Sequence, residues 1–201
     1  MSAWSEIEAD LNWRESELGL LKILINNQTV GEREKVVLYR AAWALLYAHY
    51  EGFCKFALTV YYDSIKKMGK NYIDLPQSTK AFALDKELKI LRNLSNFELL
   101  EKISTFETDV CGVPASFPDV DTQSNLWPNI LDGLLKSADI VVPSLGNYSR
   151  SISALVGKRN KIAHGARDVI PDYTYYLQHA QIVQDIMYEL ALVIDEKLQS
   201  F

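Results

Sequence analysis

Apolar side chains return at helical spacing through most of the chain. Over residues 3–25 they fall at Trp4, Ile7, Leu11, Leu18, Leu21 and Ile25, and Asn26-Asn27 supplies a stop. From residue 32 to about residue 68 the pattern is unbroken, with Val37, Ala41, Leu45, Ala48, Phe53, Ala57, Val60 and Ile65 in phase and Met68-Gly69-Lys70-Asn71 closing it. The apolar band of this segment is wide, which predicts a central helix contacted on more than one side. Tyr148, Ile152, Leu155, Val156, Ile162 and Ala163 predict a further amphipathic helix, with Gly165 suited to its C-terminal cap. Pro171 is placed to open a last helix whose buried stripe is Tyr176, Val183, Met187, Leu190 and Ile194.

The middle of the chain is less regular. Residues 81–91 and 96–103 have the spacing of short helices, and residues 126–136 are helical again. Residues 105–125 hold Gly112, Pro114, Pro118 and scattered acids, and predict a long loop with a small hairpin inside it. Loops of this length are uncommon in compact domains and tend to be functional. With nine glycines and six prolines in 201 residues, long helices are favoured over turn-rich sheets. The fold class expected is all-α: an up-and-down helical bundle with short additional helices and one long loop, built as a single domain over residues 1–201.

Composition narrows the function classes. The net charge is -5, so a protein that coats nucleic acid by bulk attraction is excluded, and any such contact must be local. The most apolar stretch, residues 36–58, is interrupted by Arg40, His49, Glu51 and Lys55, which rules it out as a membrane span. The first residues lack the basic start and apolar run of a signal peptide. Cys54 and Cys111 stand far apart and outside any metal spacing, as small hydrophobes of a reducing compartment do. A cytoplasmic protein with no membrane contact is expected. No His-x-x-x-His or Cys-x-x-Cys pair occurs, and neither a P-loop nor a G-x-G-x-x-G, so no metal and no cofactor are expected. Asp119 and Asp121 read as solvated loop acids. Trp4, Trp13, Trp43 and Trp127 sit mostly at core spacing.

One stretch departs from the acidic background. Arg150, Lys158, Arg159, Lys161 and Arg167 follow one another with no acid before Asp168. Such a run serves as a local phosphate anchor or as a solvated helix face. Inside it lies Arg159-Asn160-Lys161-Ile162-Ala163-His164-Gly165. On a helix Asn160 and His164 share a face, while Arg159 is displaced from His164 by about 140° and about 7.5 Å along the axis. Imidazole titrates near neutral pH and moves protons, and guanidinium grips phosphate in a fork. The bland alternative is a histidine that merely suits the carbonyl end of a helix dipole.

This segment resembles the R-N-x-x-A-H-G form of the R-x4-6-H signature of HEPN domains (higher eukaryote and prokaryote nucleotide-binding). Tyr47-Ala48-His49-Tyr50-Glu51-Gly52-Phe53-Cys54-Lys55 is similar to the second-helix segment of RiboL-PSP-like and MAE-type HEPN proteins of bacterial conflict systems, and Asn125-Leu126-Trp127 fits as well. The resemblance covers most of residues 30–195. It implies a four- or five-helix bundle that pairs as a homodimer, and a metal-independent endoribonuclease of a toxin-antitoxin or antiphage type. His164 would then assist proton transfer, Arg159 would hold the scissile phosphate, and Asn160 would orient the phosphate or the imidazole. Lys158, Lys161 and Arg167 would contact RNA phosphates. Glu51 is placed beside the Arg/His site as an accessory residue or in a surface pair with Lys55, two roles that can hold at once. His49 and His179 read as packed or surface histidines. RNA is the expected substrate, with an antitoxin or defence-system protein as a further partner. Some HEPN proteins carry a tyrosine two residues after the histidine; Ala166 stands there in this chain. A non-catalytic HEPN module for dimerisation, nucleotide binding or protein interaction is the alternative, and the acidic overall charge suits it.

Overall fold

The computed structural model describes residues 2–26 and 31–201, so Asn27 of the expected first stop lies outside the described residues. The fold is all-α. Eight α-helices are present among the described residues: α1 (Ala3–Ile25), α2 (Glu32–Lys67), α3 (Gln77–Ala83), α4 (Asp85–Arg92), α5 (Asn96–Phe106), α6 (Pro128–Ser137), α7 (Pro143–Ala163) and α8 (Tyr173–Gln199).

Four of them make the bundle. Lys67 of α2 approaches Glu6 of α1, while His49 lies against Glu17, so these two helices run antiparallel. Ser144 and Tyr148 of α7 reach Glu189 and Asp185 of α8, again antiparallel. Lys22 of α1 bonds Gln184 of α8. Across the diagonal, Trp43 of α2 stacks on Tyr175 and Tyr61 meets Phe201, so α2 and α8 are parallel. The order is therefore up, down, up, down, and it gathers the end of α1, the start of α2, the end of α7 and the start of α8 at one pole.

Helix α2 is buried on three sides, against α1, α7 and α8. Its core residues are Ala42, Trp43, Leu46, Tyr47, Tyr50, Phe53, Cys54, Ala57 and Leu58. This corrects the phase expected for its first half: Val37 is 66% exposed, and Ala41 and Ala48 face outward. Phe53, Ala57, Val60 and Ile65 are buried as expected. The stripes expected for α1 and α8 are the ones that pack: Ile7, Leu11, Leu18 and Ile25, and Tyr176, Val183, Met187, Leu190 and Ile194. Trp43 anchors the centre, fully buried, with its indole N–H donated to the Leu155 carbonyl of α7 at 3.0 Å. Trp13, by contrast, is half exposed.

Residues 70–142 form an insertion laid along the second half of α2. The single helix expected over residues 81–91 is two helices broken at Leu84. Ala83 and Leu84 are buried, whereas α4 buries nothing and turns outward. Ser95 and Glu98 form a capping box at the start of α5. The expected hairpin is absent: Glu107–Cys111 forms a π-helical turn, and a lone bridge joins Asn71 to Pro114. Pro114 and Pro118 deny a ladder its N–H donors. The loop then runs to Trp127, with Gln123 and Ser124 both left-handed (φ 52° and 67°), a strain of roughly 1–2 kcal/mol each for residues with a Cβ. Helix α6 starts at Pro128 rather than at Leu126, whose N–H is taken by the Tyr47 hydroxyl at 2.8 Å. Helix α8 opens at Tyr173, not at Pro171, because the Asp172 carboxylate accepts the Tyr175 N–H and sets the cap.

Candidate active site

Helix α7 ends at the pole where α2 begins. Gly165 sits in the left-handed region (φ 79°), Ala166 N–H bonds the Lys161 carbonyl, and Gly165 N–H bonds that of Ile162. This pair of bonds closes the helix and needs the glycine. It leaves His164 as the cap residue, exposed, its own N–H bonded to the Asn160 carbonyl one turn back. Arg40 of α2 donates to the Ala166 carbonyl at 2.9 Å and pins the turn that follows the motif.

The side chain of Arg159 turns the other way, toward α2. Its Cζ lies 3.8 Å from the centre of the Tyr47 ring. Nη1 donates to Asn125 Oδ1 at 3.0 Å and to Asn160 Oδ1 at 2.8 Å, and Nη2 to Glu51 Oε2 at 3.4 Å. The guanidinium is thus held on one face by an aromatic ring and at its edge by three oxygens, with one carboxylate balancing its charge. Three of its five N–H groups are used, and the other two have no hydrogen-bond partner among the described residues. Among the described residues no hydrogen bond joins Arg159 to His164. The two are neighbours along α7 that project on different sides, as the helical offset dictates.

A family model, that of the MAE_28990-like HEPN domains, matches residues 3–201. The chain belongs to this HEPN family. No curated protein and no solved structure matches it.

In this HEPN chain Glu51 pairs with Arg159 and makes no ion pair with Lys55. His49, two residues earlier and so on the opposite side of α2, faces α1 instead. It is buried against Trp13, its Nε2 lies 2.8 Å from Glu17 Oε2, and Arg14 donates to its carbonyl. Burial pushes its pKa down, against the pull of Glu17. His179 is buried between Trp43 and Tyr175, with its pKa lowered by the same cause. Neither reaches the Arg159 cluster.

The basic stretch is less positive than its sequence implies. Lys158 donates to Asp168 at 3.2 Å and to the Val169 carbonyl, and Lys161 lies 3.7 Å from the same carboxylate. Burial works to raise the Asp168 pKa, but the Lys158 hydrogen bond and the two ammonium charges outweigh it and hold the carboxyl below its usual value. Arg150 and Arg167 are exposed, with no hydrogen bond or ion pair among the described residues. Two members of the cluster, Asn125 and Tyr47, have no place in a motif-based list of site residues. Asn125 lies 34 positions before Arg159 in an aperiodic loop, and its one signal is the Asn-Leu-Trp string. Among the described residues no group of three or more His, Cys, Asp or Glu is arranged to hold a metal ion, and no helix is long and apolar enough to cross a membrane.

Proposed function

We propose that the chain is a metal-independent endoribonuclease in which Arg159, Asn160 and His164 carry the reaction. The supporting observation is the guanidinium oriented by Tyr47, Asn125, Asn160 and Glu51 near the end of α7, with an exposed imidazole about one and a half helical turns further along. Family membership supports a ribonuclease module in general, and the residue roles are our reading.

RNA carries its own nucleophile. The 2'-OH attacks the adjacent phosphorus, a 2'-O–P bond forms, and the P–O5' bond breaks, giving a 2',3'-cyclic phosphate and a 5'-OH end. One proton leaves the 2'-OH and one must reach the departing 5'-oxygen. His164 takes one of these transfers, and Arg159 offsets the charge that builds on the phosphoryl oxygens. Asn160, already bonded to Arg159, sets the orientation of that pair, and Glu51 holds the arginine at its edge. Lys158, Lys161 and Arg167 guide the flanking phosphates, with RNA displacing Asp168 from the two lysines.

A second acid-base group has to come from a second copy. The pole that carries the motif also exposes Leu20, Ile23 and Leu24 of α1 and Val36 and Val37 of α2. Apolar surface at the same pole as an incomplete site fits a homodimer in which two motifs meet across a two-fold axis. Growth arrest on expression, relieved by a cognate antitoxin or defence-system protein, is the cellular behaviour such an enzyme would show.

The test is cleavage of RNA in EDTA by the wild type and by His164→Ala and Arg159→Ala. Loss in both variants supports the assignment, and equal cleavage by His164→Ala removes it. The net charge of -5 and the hold of Asp168 on two lysines favour one competing reading, a non-catalytic HEPN module. A purified dimer that binds nucleotide or protein but leaves RNA intact would establish that reading instead.

A further inference from the structure

The loop before α6 ends in a turn whose whole construction converges on one side chain. Gln123 and Ser124 are consecutive left-handed residues that carry side chains, a conformation that persists only when its surroundings impose it. Here they do. Asp121 Oδ1 accepts the Gln123 N–H at 2.8 Å, the Asn125 N–H returns to the Thr122 carbonyl, and the Trp127 N–H bonds the Asn125 carbonyl at 2.9 Å. Val120, Thr122 and Leu126 are buried on either side of the turn. Leu126 is further tied to α2 through its N–H on the Tyr47 hydroxyl. Between these fixed points Asn125 has little freedom, and its Oδ1 accepts from Arg159.

Tyr47 joins the two halves of this arrangement. Its hydroxyl holds the backbone next to Asn125, and its ring lies under the Arg159 guanidinium. The ring holds the guanidinium by stacking alone, a contact that a half-turn about Nε–Cζ breaks and remakes with the two Nη groups exchanged. An acceptor at the edge opposes that half-turn, and Asn125 supplies one from a rigid backbone, whereas Glu51 and Asn160 supply theirs from longer or adjacent side chains.

We propose that Asn125 is a positioning residue: it acts through Arg159, holding the guanidinium against rotation about Nε–Cζ, and the strained turn over residues 122–126 exists to present it. The proposal rests on reading Arg159 as the phosphate-binding group, and its test separates the two.

In full-length protein labelled with nitrogen-15 arginine, the Nη signals of Arg159 should be individually resolved, because rotation about its C–N bonds is hindered. In Asn125→Ala they should merge into one averaged signal. Asn125→Asp, which keeps an acceptor in the same place, should leave them resolved. Asn125→Ser suits the turn but is too short to reach Arg159, and it stands in for Asn125→Ala if that variant fails to fold. In RNA cleavage, Asn125→Ala should lower kcat on the order of ten-fold with KM within about two-fold, the signature of a group that matters when the phosphate is in its reacting geometry. Merged signals in Asn125→Ala support the positioning role even if the wild type cuts no RNA, in which event the nuclease assignment alone falls. Signals that stay resolved in both Asn125→Ala and Asn125→Ser overturn the proposal, whatever the wild type cleaves.

Discussion

Replacing Arg159 and His164 one at a time separates structural from chemical roles, because the two residues are held so differently. Arg159 makes three hydrogen bonds and a ring contact, with its side chain only 23% exposed. Hydrogen bonds to charged groups contribute about 1.5–3 kcal/mol each, and a cation over an aromatic ring about 0.5–2 kcal/mol. Three bonds near the lower end of that range and the ring contact, less roughly 2 kcal/mol of side-chain entropy recovered, leave about 3 kcal/mol lost in Arg159→Ala. For a chain of this size the melting temperature then falls by about 6–12 °C. His164 is exposed and its side chain makes no hydrogen bond among the described residues, so His164→Ala should change stability by no more than about 0.5 kcal/mol, about 2 °C. The same substitution should slow RNA cleavage roughly 10²–10⁴-fold, the worth of a positioned acid or base. Thermal melts beside single-turnover cleavage in EDTA give both quantities for both variants. A His164→Ala protein that melts more than 5 °C below the wild type, or an Arg159→Ala protein that melts with it, refutes this account of how the end of α7 is built.

Three further outcomes are expected. Tyr47→Phe keeps the ring under Arg159 but leaves the buried Leu126 N–H without its acceptor, so it should destabilise by about 1–3 kcal/mol, measurable in denaturant; an unchanged midpoint contradicts the tether. Burial lowers the pKa of His49 and of His179. The unfolded chain therefore takes up protons below about pH 6.5 that the folded chain refuses, and stability is full above that value and lost as pH falls below it. Melting temperatures at pH 7.5 and 5.5 should differ in that direction, less so in His49→Gln, and equality of the two refutes the linkage. Leu24→Asp with Val37→Asp places charge on the apolar pole, and sedimentation should show monomers that retain their helicity and no longer cut RNA; a cleaving monomer rules out a shared site.

The bundle was legible because α1, α7 and α8 each bury one stripe, and a stripe has a readable period. The first half of α2 was not. Ala41 and Ala42, Leu45 and Leu46, and Tyr47 and Ala48 are apolar neighbours only about 100° apart within a wide apolar band, so periodicity alone leaves open which member of each pair is more deeply buried. Trp43 settles it, through Tyr175 and His179, more than 130 residues away along the chain. The same division applies to the site. Arg159, Asn160 and His164 lie in one short string, but of these only Arg159 and Asn160 are bonded to each other, while His164 projects on another side of α7. Glu51 was half legible, since its surface pairing with Lys55 competed with the partnership with Arg159 that forms. Asn125 depends on a loop path set by Tyr47 and by two strained residues, and no local pattern encodes that. The charge run misled in a different way: counting acids up to Asp168 stopped one residue short of the carboxylate that neutralises Lys158 and Lys161.

The diagonal pairing of α2 with α8 has a consequence for biosynthesis. Trp43 leaves the ribosome more than 130 residues before its stacking partner Tyr175 of α8, and α7, which carries Arg159, is clamped to the bundle by that same helix. Contacts so distant along the chain form slowly and late. The cluster of Tyr47, Glu51, Asn125 and Arg159 is therefore completed only after α8 has been made, and until then Arg159 lacks the frame that orients it.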